Sequence, residues 1–283
     1  MTTNYLQNQL DLSQGPVSGT FRIREPYFGE SDTGRPFVRL RLEDCTGHLY
    51  AFSWQDQVMK SQSLFDLSRA YIEGRLRSQQ GQSFVELKTL VPARLAYHDT
   101  IRLIPQAVCP QPGLLFELQA ALRLITIPAL RQFVVQVLGN DGIAYPFVSC
   151  PGSLHHHHNY PGGLLKHSLE SFAMIESQQG FTQESYELGL VAALFHDIGK
   201  ILTLTPQMTW TSLGTCVEHD KLTFEVLGPA LQQFQEQWPE GAKELRYLLG
   251  WKAKSAIPHY NMADLVACSD RISAGLDIAK RHA

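Results

Sequence analysis

Apolar residues recur at every second position up to about residue 95 and at every third or fourth position beyond about residue 113. A period of two belongs to a strand with one buried face and a period near 3.6 to a helix, so no single layer accommodates both. In the first stretch VSGTFRIRE (17–25), PFVRLRLED (36–44), HLYAFSW (48–54), AYIEGRLR (70–77) and SFVELKTL (83–90) read as strands. Cys45-Thr46-Gly47 and Gln80-Gly81 supply two hairpin turns, and a short helix is expected over 55–66. In the second stretch helices are expected over 114–124, 127–138, 162–175, 185–198, 221–234, 242–251 and 263–280. Between them Pro105, Pro110, Pro112 and Gly113 break any pattern. The expected organisation is an N-terminal extension (1–15), a strand domain (16–95), a linker (96–113) and a helical domain (114–283).

Five short strands with a helix after the third is the order of an OB-fold barrel. The expected fold class is therefore multidomain, an N-terminal all-β OB-fold barrel followed by an all-α bundle. With 283 residues, 44% of them hydrophobic, the chain has material for both cores. No apolar run is long enough to span a bilayer, and the N-terminus has neither the basic nor the apolar segment of a signal peptide, so no membrane partner is expected. The five cysteines are odd in number, widely spaced and never paired as CxxC, which argues against a disulfide set or a thiolate zinc site and for a cytoplasmic location. A net charge of -3 does not indicate a general polyanion-binding surface. A nucleic-acid partner would have to be held by a local patch.

Three segments of the helical half concentrate metal-ligating side chains: HHHHNYPGGLLKHS (155–168), AALFHDIGK (192–200) and the last helix, with Asp264, Asp270 and Asp277. His167 follows Leu164 by three residues, His196 follows Ala192 by four, and Asp270 follows Val266 by four, so each lies at the margin of an inward stripe. If the helices are neighbours, His167, His196, Asp197 and Asp270 point into one cleft. Mixed imidazole and carboxylate donors suit Mn²⁺, Mg²⁺, Fe²⁺ or Ni²⁺ better than a closed tetrahedral zinc site. Such an ion lowers the pKa of bound water and offsets charge on a phosphoryl group.

The separation His167…His196-Asp197…Asp270, with HDIGK as its most specific fragment, resembles the HD-domain metal-dependent phosphohydrolases. The longer pattern HHxxxPGGLLxHS followed by AALFHDIGK is similar to the YhaM-type 3′-to-5′ exoribonucleases and to HD modules of conjugative relaxases. The former also place an OB-fold before the HD domain, so the resemblance spans essentially the whole chain and implies an HD-domain helical bundle. It further implies a nuclease that removes nucleotides from a 3′ end with a divalent metal, commonly manganese. Under it His167, His196, Asp197 and Asp270 match the metal ligands, and Lys200 matches a phosphate-contacting position. His219 matches a further histidine serving a second metal or the leaving group, which makes Asp197, Lys200 and His219 the catalytic candidates. His156, His157 and His259 are additional cleft or metal candidates. The chain departs from the pattern at 250–260, where GWKAKSAIPHY stands in place of a His-His-Gly segment.

In the strand half Val38, Leu40 and Leu42 share one face of their strand, and Leu49, Ala51 and Ser53 one face of the next. If these fill the barrel, Phe37, Arg39, Arg41, Tyr50 and Phe52 lie outside together, as rings and guanidinium groups on which unpaired bases stack. The expected function is a metal-dependent phosphodiesterase, a 3′-5′ exonuclease on single-stranded RNA or DNA, in which metal-activated water attacks phosphorus. The alternatives are a phosphohydrolase acting on nucleotides or other small phosphate esters, and a nucleic-acid-binding accessory protein with a non-catalytic site. Self-association is compatible with each of them.

Overall fold

The structure, a computed structural model, describes residues 5–6, 15–59, 68–252 and 257–282. The chain divides into two compact units, Met1–Ala107 and Val108–Ala283. Most of the expected N-terminal extension, the second half of the helix expected over 55–66, and residues 253–256 of the 250–260 segment lie outside the described residues.

The first unit is built from β1 (Pro16–Glu30), β2 (Pro36–Asp44), β3 (Gly47–Ser53), α1 (Asp56–Met59), β4 (Arg69–Gln79) and β5 (Gln82–Pro92). Their order around the sheet is β1-β2-β3-β5-β4, closed into a barrel by antiparallel pairing of β1 with β4. The β3–β5 contact is parallel, with Ala51 opposite Val85. Alternation decides which residues go inside. Val38, Leu40, Leu42, Ala51, Ile72, Val85 and Phe21 fill the interior together with Leu6. Each large aliphatic or aromatic side chain so buried contributes on the order of 1.5–3 kcal/mol. β1 runs five residues beyond its expected end, past a register shift between Arg24 and Tyr27 that carries Tyr27 opposite Arg39. Alternation could not foresee this, because a bulge resets the period.

Residues 97–104, assigned above to the linker, pack on this barrel. Arg102, buried, donates from Nε to Asp99 at 2.9 Å and lies 3.7 Å from the fully buried Asp44 carboxylate. The Cys45 amide donates to the Arg102 carbonyl at 2.7 Å, and Arg22 Nε to the Leu103 carbonyl at 3.0 Å. Asp44 also accepts from the Leu6 amide at 2.8 Å, which ties the start of the described chain to the same point.

The second unit holds α2 (Gly113–Leu122), α3 (Pro128–Leu138), α4 (Asp141–Ser149), α5 (Gly163–Glu176), α6 (Gln183–Phe195), α7 (Lys200–Thr203), α8 (His219–Gln237), α9 (Pro239–Gly250) and α10 (Met262–His282). α6 packs against α3, α5, α9 and α10. Every residue from Glu187 to Phe195 is buried, so the one-sided stripe expected for it is in fact an apolar surface on all sides. Its single buried charge, Glu187, accepts from the Thr126 and Ile127 amides at 2.8 and 2.9 Å, satisfying donors at the start of α3. α4 was not foreseen, because Pro146 sits in its body.

The expected fold class needs correction. The structure has a five-stranded closed barrel followed by a helical region, and neither part is of one kind. The barrel unit includes α1 and a 3₁₀ turn at Tyr97–Asp99, and the helical region includes an antiparallel bridge between Leu204 and Trp210. The physical reason is that alternation specifies a strand's buried face but not the kind of five-stranded barrel it joins, and elements of three or four residues are too short to show a period. The barrel is accordingly described as a closed barrel and not as an OB-fold, and the second unit as a helical region and not as an HD-domain bundle.

Candidate metal centre

Three elements of the helical unit deliver the donors. His167 lies on the buried face of α5, which starts after a left-handed Gly162 (φ 81°). A Cβ on the next residue, Gly163, would collide with the His158 carbonyl oxygen, so this glycine lets the histidine loop lie against the helix start. His196 and Asp197 follow directly on α6 and are carried by its buried, close-packed end. Asp270 projects from α10.

The four side chains converge. His167 Nε2 lies 3.1 Å from His196 Nε2, 3.1 Å from Asp270 Oδ1 and 3.4 Å from Asp197 Oδ2. His196 Nε2 is 3.5 Å from each of those two carboxylate oxygens. One ligand atom from each of the four falls within 4.8 Å of all the others. Donors about 2.1 Å from an octahedral ion are separated by roughly 3.0 Å when adjacent and 4.2 Å when opposite, so the observed spacing matches such a shell.

Hydrogen bonds fix which nitrogen faces inward. The Ala193 carbonyl can only accept, so His196 Nδ1, 2.8 Å away, carries the proton and leaves Nε2 as a lone pair toward the cluster. Ser273 Oγ donates to Glu170 Oε2 at 2.8 Å and therefore accepts from His167 Nδ1 at 3.0 Å. His167 Nε2 then also faces the cluster as a lone pair. Two lone pairs 3.1 Å apart repel unless a proton or a metal ion lies among them. This donor set thus fits a divalent ion, with Ser273 and Glu170 as outer partners that orient His167.

The electrostatics agree. Burial acts to raise the Asp197 carboxyl, but the charges of Lys200 and His196, with hydrogen bonds from His167 and His219, hold it well below the usual range. Burial also acts to raise Asp270, and hydrogen bonds from His167 and His196 overcome it and lower it. Burial acts to depress His167, but its protonated ring donates to the Asp197 and Asp270 carboxylates and so ends raised, which means that a proton and a metal ion compete for the same nitrogen. Both carboxylates stay charged, and the point they share attracts positive charge.

The remaining expected residues divide. His219 Nε2 sits 3.1 Å from Asp197 Oδ1 and 3.3 Å from Asp220 Oδ1, forming a second His/Asp group. Its approach depends on Gly199 of HDIGK, where a Cβ would collide with the His219 carbonyl oxygen. Lys200, buried, has Nζ 2.5 Å from Asp197 Oδ2, so it stands as counter-ion to Asp197. His157 joins His158 and His167 in a third group, and burial, the charge of Lys200 and that of His167 push it down to about 3. His156 is exposed and meets Ser153 only through its backbone amide, and His259 packs on Tyr247 and Tyr260; neither belongs to a cluster of possible ligands among the described residues.

Sequence reasoning missed His158, Ser273 and Glu170. His158 is buried, with Nε2 3.1 Å from Glu170 and its amide donating to Asp277 at 2.7 Å. It turns inward through a left-handed backbone (φ 49°), which a run of four identical residues in sequence does not signal. Ser273 lies three residues after Asp270, one helical turn along α10, and that spacing was the available clue. Ser273→Ala is expected to weaken binding of a divalent ion about 10- to 100-fold by freeing His167 Nδ1. Calorimetric titration of the metal-stripped protein checks this, and Ser273→Thr should recover most of the loss.

In the barrel unit the five expected contact residues lie outside the interior, on adjoining strands. Arg39 pairs with Phe52 and Arg41 with Tyr50. The Arg39 guanidinium carbon is 5.2 Å from the ring centres of both Tyr27 and Tyr50, and its Nε has no hydrogen-bond partner among the described residues. Phe37, Phe52, Trp54 and Phe84 continue the aromatic surface at centroid distances of 5.5–6.5 Å. Arg41 is engaged by Glu25 and Glu43 at 2.9 and 2.8 Å, which neutralises its charge locally.

Barrel and cluster together define a two-unit chain with a His/Asp centre able to hold a metal ion. No family model matches it. The chain is 21% identical over 229 residues to the 3′-5′ exoribonuclease YhaM of Listeria monocytogenes, covering 76% of this chain and 70% of that protein. It is 22% identical over 231 residues to the protein of that name from Oceanobacillus iheyensis, covering 78% and 71%. The corresponding protein of Bacillus pumilus is 20% identical over 217 residues, covering 75% and 68%. A solved structure of RecG bound to a three-way DNA junction overlaps 68% of this chain and 31% of that one at 13% identity, with a TM-score of 0.27. Among the described residues no helix is long and apolar enough to cross a membrane.

Proposed function

We propose that this chain is a metal-dependent phosphodiesterase of the HD type that removes nucleotides from the 3′ end of single-stranded RNA. The observation that carries the reading is the convergence of His167, His196, Asp197 and Asp270, within 4.8 Å of one another, in a chain similar over about three quarters of its length to proteins named 3′-5′ exoribonuclease. These four residues would hold the ion, manganese by preference and Mg²⁺, Fe²⁺ or Ni²⁺ as substitutes. Bound there, a divalent ion supplies Lewis-acid charge for the phosphoryl oxygens and makes water nucleophilic near neutral pH.

The protein's own groups do the rest. Ser273 and Ala193 fix the two imidazoles so that lone pairs face the ion. Asp197, held charged, keeps Lys200 in place beside it, where the ammonium can meet a phosphate oxygen. His219, about one third exposed, shares Asp197 through Nε2 and would pass a proton from that atom to the leaving oxygen. On the barrel, the Tyr27–Arg39–Tyr50 sandwich and the neighbouring rings offer stacking surfaces that tolerate any base, as a non-selective single-strand binder needs.

The test uses RNA and DNA oligonucleotides labelled at either end, with each of the four ions and with EDTA. The expected result with Mn²⁺ is immediate release of a labelled mononucleotide from 3′-labelled RNA and a descending ladder from 5′-labelled RNA, both abolished by EDTA. Intact RNA with every ion would overturn the reading.

A further inference from the structure

A pocket of about 170 Å³ opens beside the centre, sharing His196 and Asp270 with it. Its other walls are Leu248 and Leu249 of α9, Val266 and Ala267 of α10, Trp251 between those helices, and the cations Lys252 and Arg271. We infer that this pocket holds the base of the 3′-terminal nucleotide, with Trp251 as its stacking wall and Lys252 and Arg271 meeting the phosphate beside it. The inference rests on the nuclease reading above and gives that site a terminal-base subsite.

Size, rigidity and charge each point the same way. Pockets for drug-sized molecules start at about 300 Å³, so this one has room for a single ring system and not for a whole nucleotide. Trp251 is set before any ligand arrives. Its Nε1 donates to Asp264 at 2.8 Å, and its ring stacks on Tyr247 at 5.4 Å and 21°. A ring held in this way loses little freedom on meeting a base. The aliphatic floor has no hydrogen-bonding side chain, so the pocket reads a flat apolar surface and not a particular base edge.

The cations stand where a phosphodiester would be needed. Lys252 Nζ is 2.8 Å from Asp220 Oδ1, and Asp220 in turn contacts His219, so this ammonium is tethered to the group that surrounds Asp197. Arg271 is exposed; it donates to Cys268 Sγ at 3.5 Å and meets no carboxylate among the described residues. A base in the pocket thereby brings its own phosphate between these cations and the His196–Asp270 edge.

The experiment compares two 5′-fluorescein RNA hexamers, identical except that one has an abasic 3′-terminal residue, by anisotropy in EDTA so that nothing is cleaved. The full-length protein is expected to bind the intact strand about tenfold more tightly, as one stacked base implies. Trp251→Ala should bind the two alike, and Trp251→Phe should restore most of the difference. Arg271→Gln should weaken both strands equally and flatten the salt dependence by about one phosphate contact. Equal binding by the unsubstituted protein, or a preference that survives in Trp251→Ala, overturns the inference. Degradation of intact RNA with Mn²⁺ is scored separately. Degradation without base preference removes the subsite and leaves the nuclease, whereas base preference without degradation removes the nuclease and leaves a base-binding pocket.

Discussion

Asp197→Ala is expected to abolish metal binding and reduce RNA hydrolysis at least about 1,000-fold, leaving single-strand affinity largely unchanged. The expectation follows from how much meets at this carboxylate. Within 3.5 Å of it stand the Nε2 atoms of His167, His196 and His219 and the Lys200 ammonium. Losing charge stabilisation of several kcal/mol at a metal site corresponds to that rate, since about 1.4 kcal/mol is a factor of ten. Alanine also strands Lys200, and an unpaired buried charge costs about 3–5 kcal/mol of stability. Asp197→Asn combined with Lys200→Met keeps the charge balance and separates the two effects. A folded double variant that binds Mn²⁺ and hydrolyses RNA at the full rate would contradict the assignment.

The second large effect concerns the barrel. Replacing Tyr27 and Tyr50 by alanine should lower affinity for single strands at least about 30-fold, because each stacked base contributes roughly 1–3 kcal/mol. Both rings are exposed, at 52% and 38%, so their loss should leave the barrel intact. The expected pattern is weak anisotropy binding, an unchanged melting curve and unchanged Mn²⁺ binding. Undiminished affinity would show that the aromatic face serves something other than nucleic acid.

Several of these features were legible before any coordinates. Val38, Leu40 and Leu42 alternate so regularly that the inside and outside of β2, and hence the outward direction of Phe37, Arg39 and Arg41, follow from spacing. The spacing of His167, His196, Asp197 and Asp270 carried less by itself. Each could be placed at a helix margin, but only packing brings α5, α6 and α10 side by side. Other features were hidden for definite reasons. Tyr27 reaches Arg39 through a bulge that periodicity cannot locate. For Lys200 the sequence shows the charge and not the partner, and the fold sets it beside Asp197. Trp251 lies in the break between α9 and α10, where no period exists to draw attention to it. The closed barrel itself could be anticipated as strands but not as a particular barrel type.

The burial of α6 on every side from Glu187 to Phe195 has a practical corollary for redesign. Ala192 and Ala193 are sealed within close-packed surroundings, so even one added methylene there would displace the histidine and aspartate that follow. Attempts to retune which cation the protein prefers are better directed at Asp270. Its side chain is 35% exposed where its three companions are at most 10%, which makes it the one malleable corner of an otherwise rigid cage.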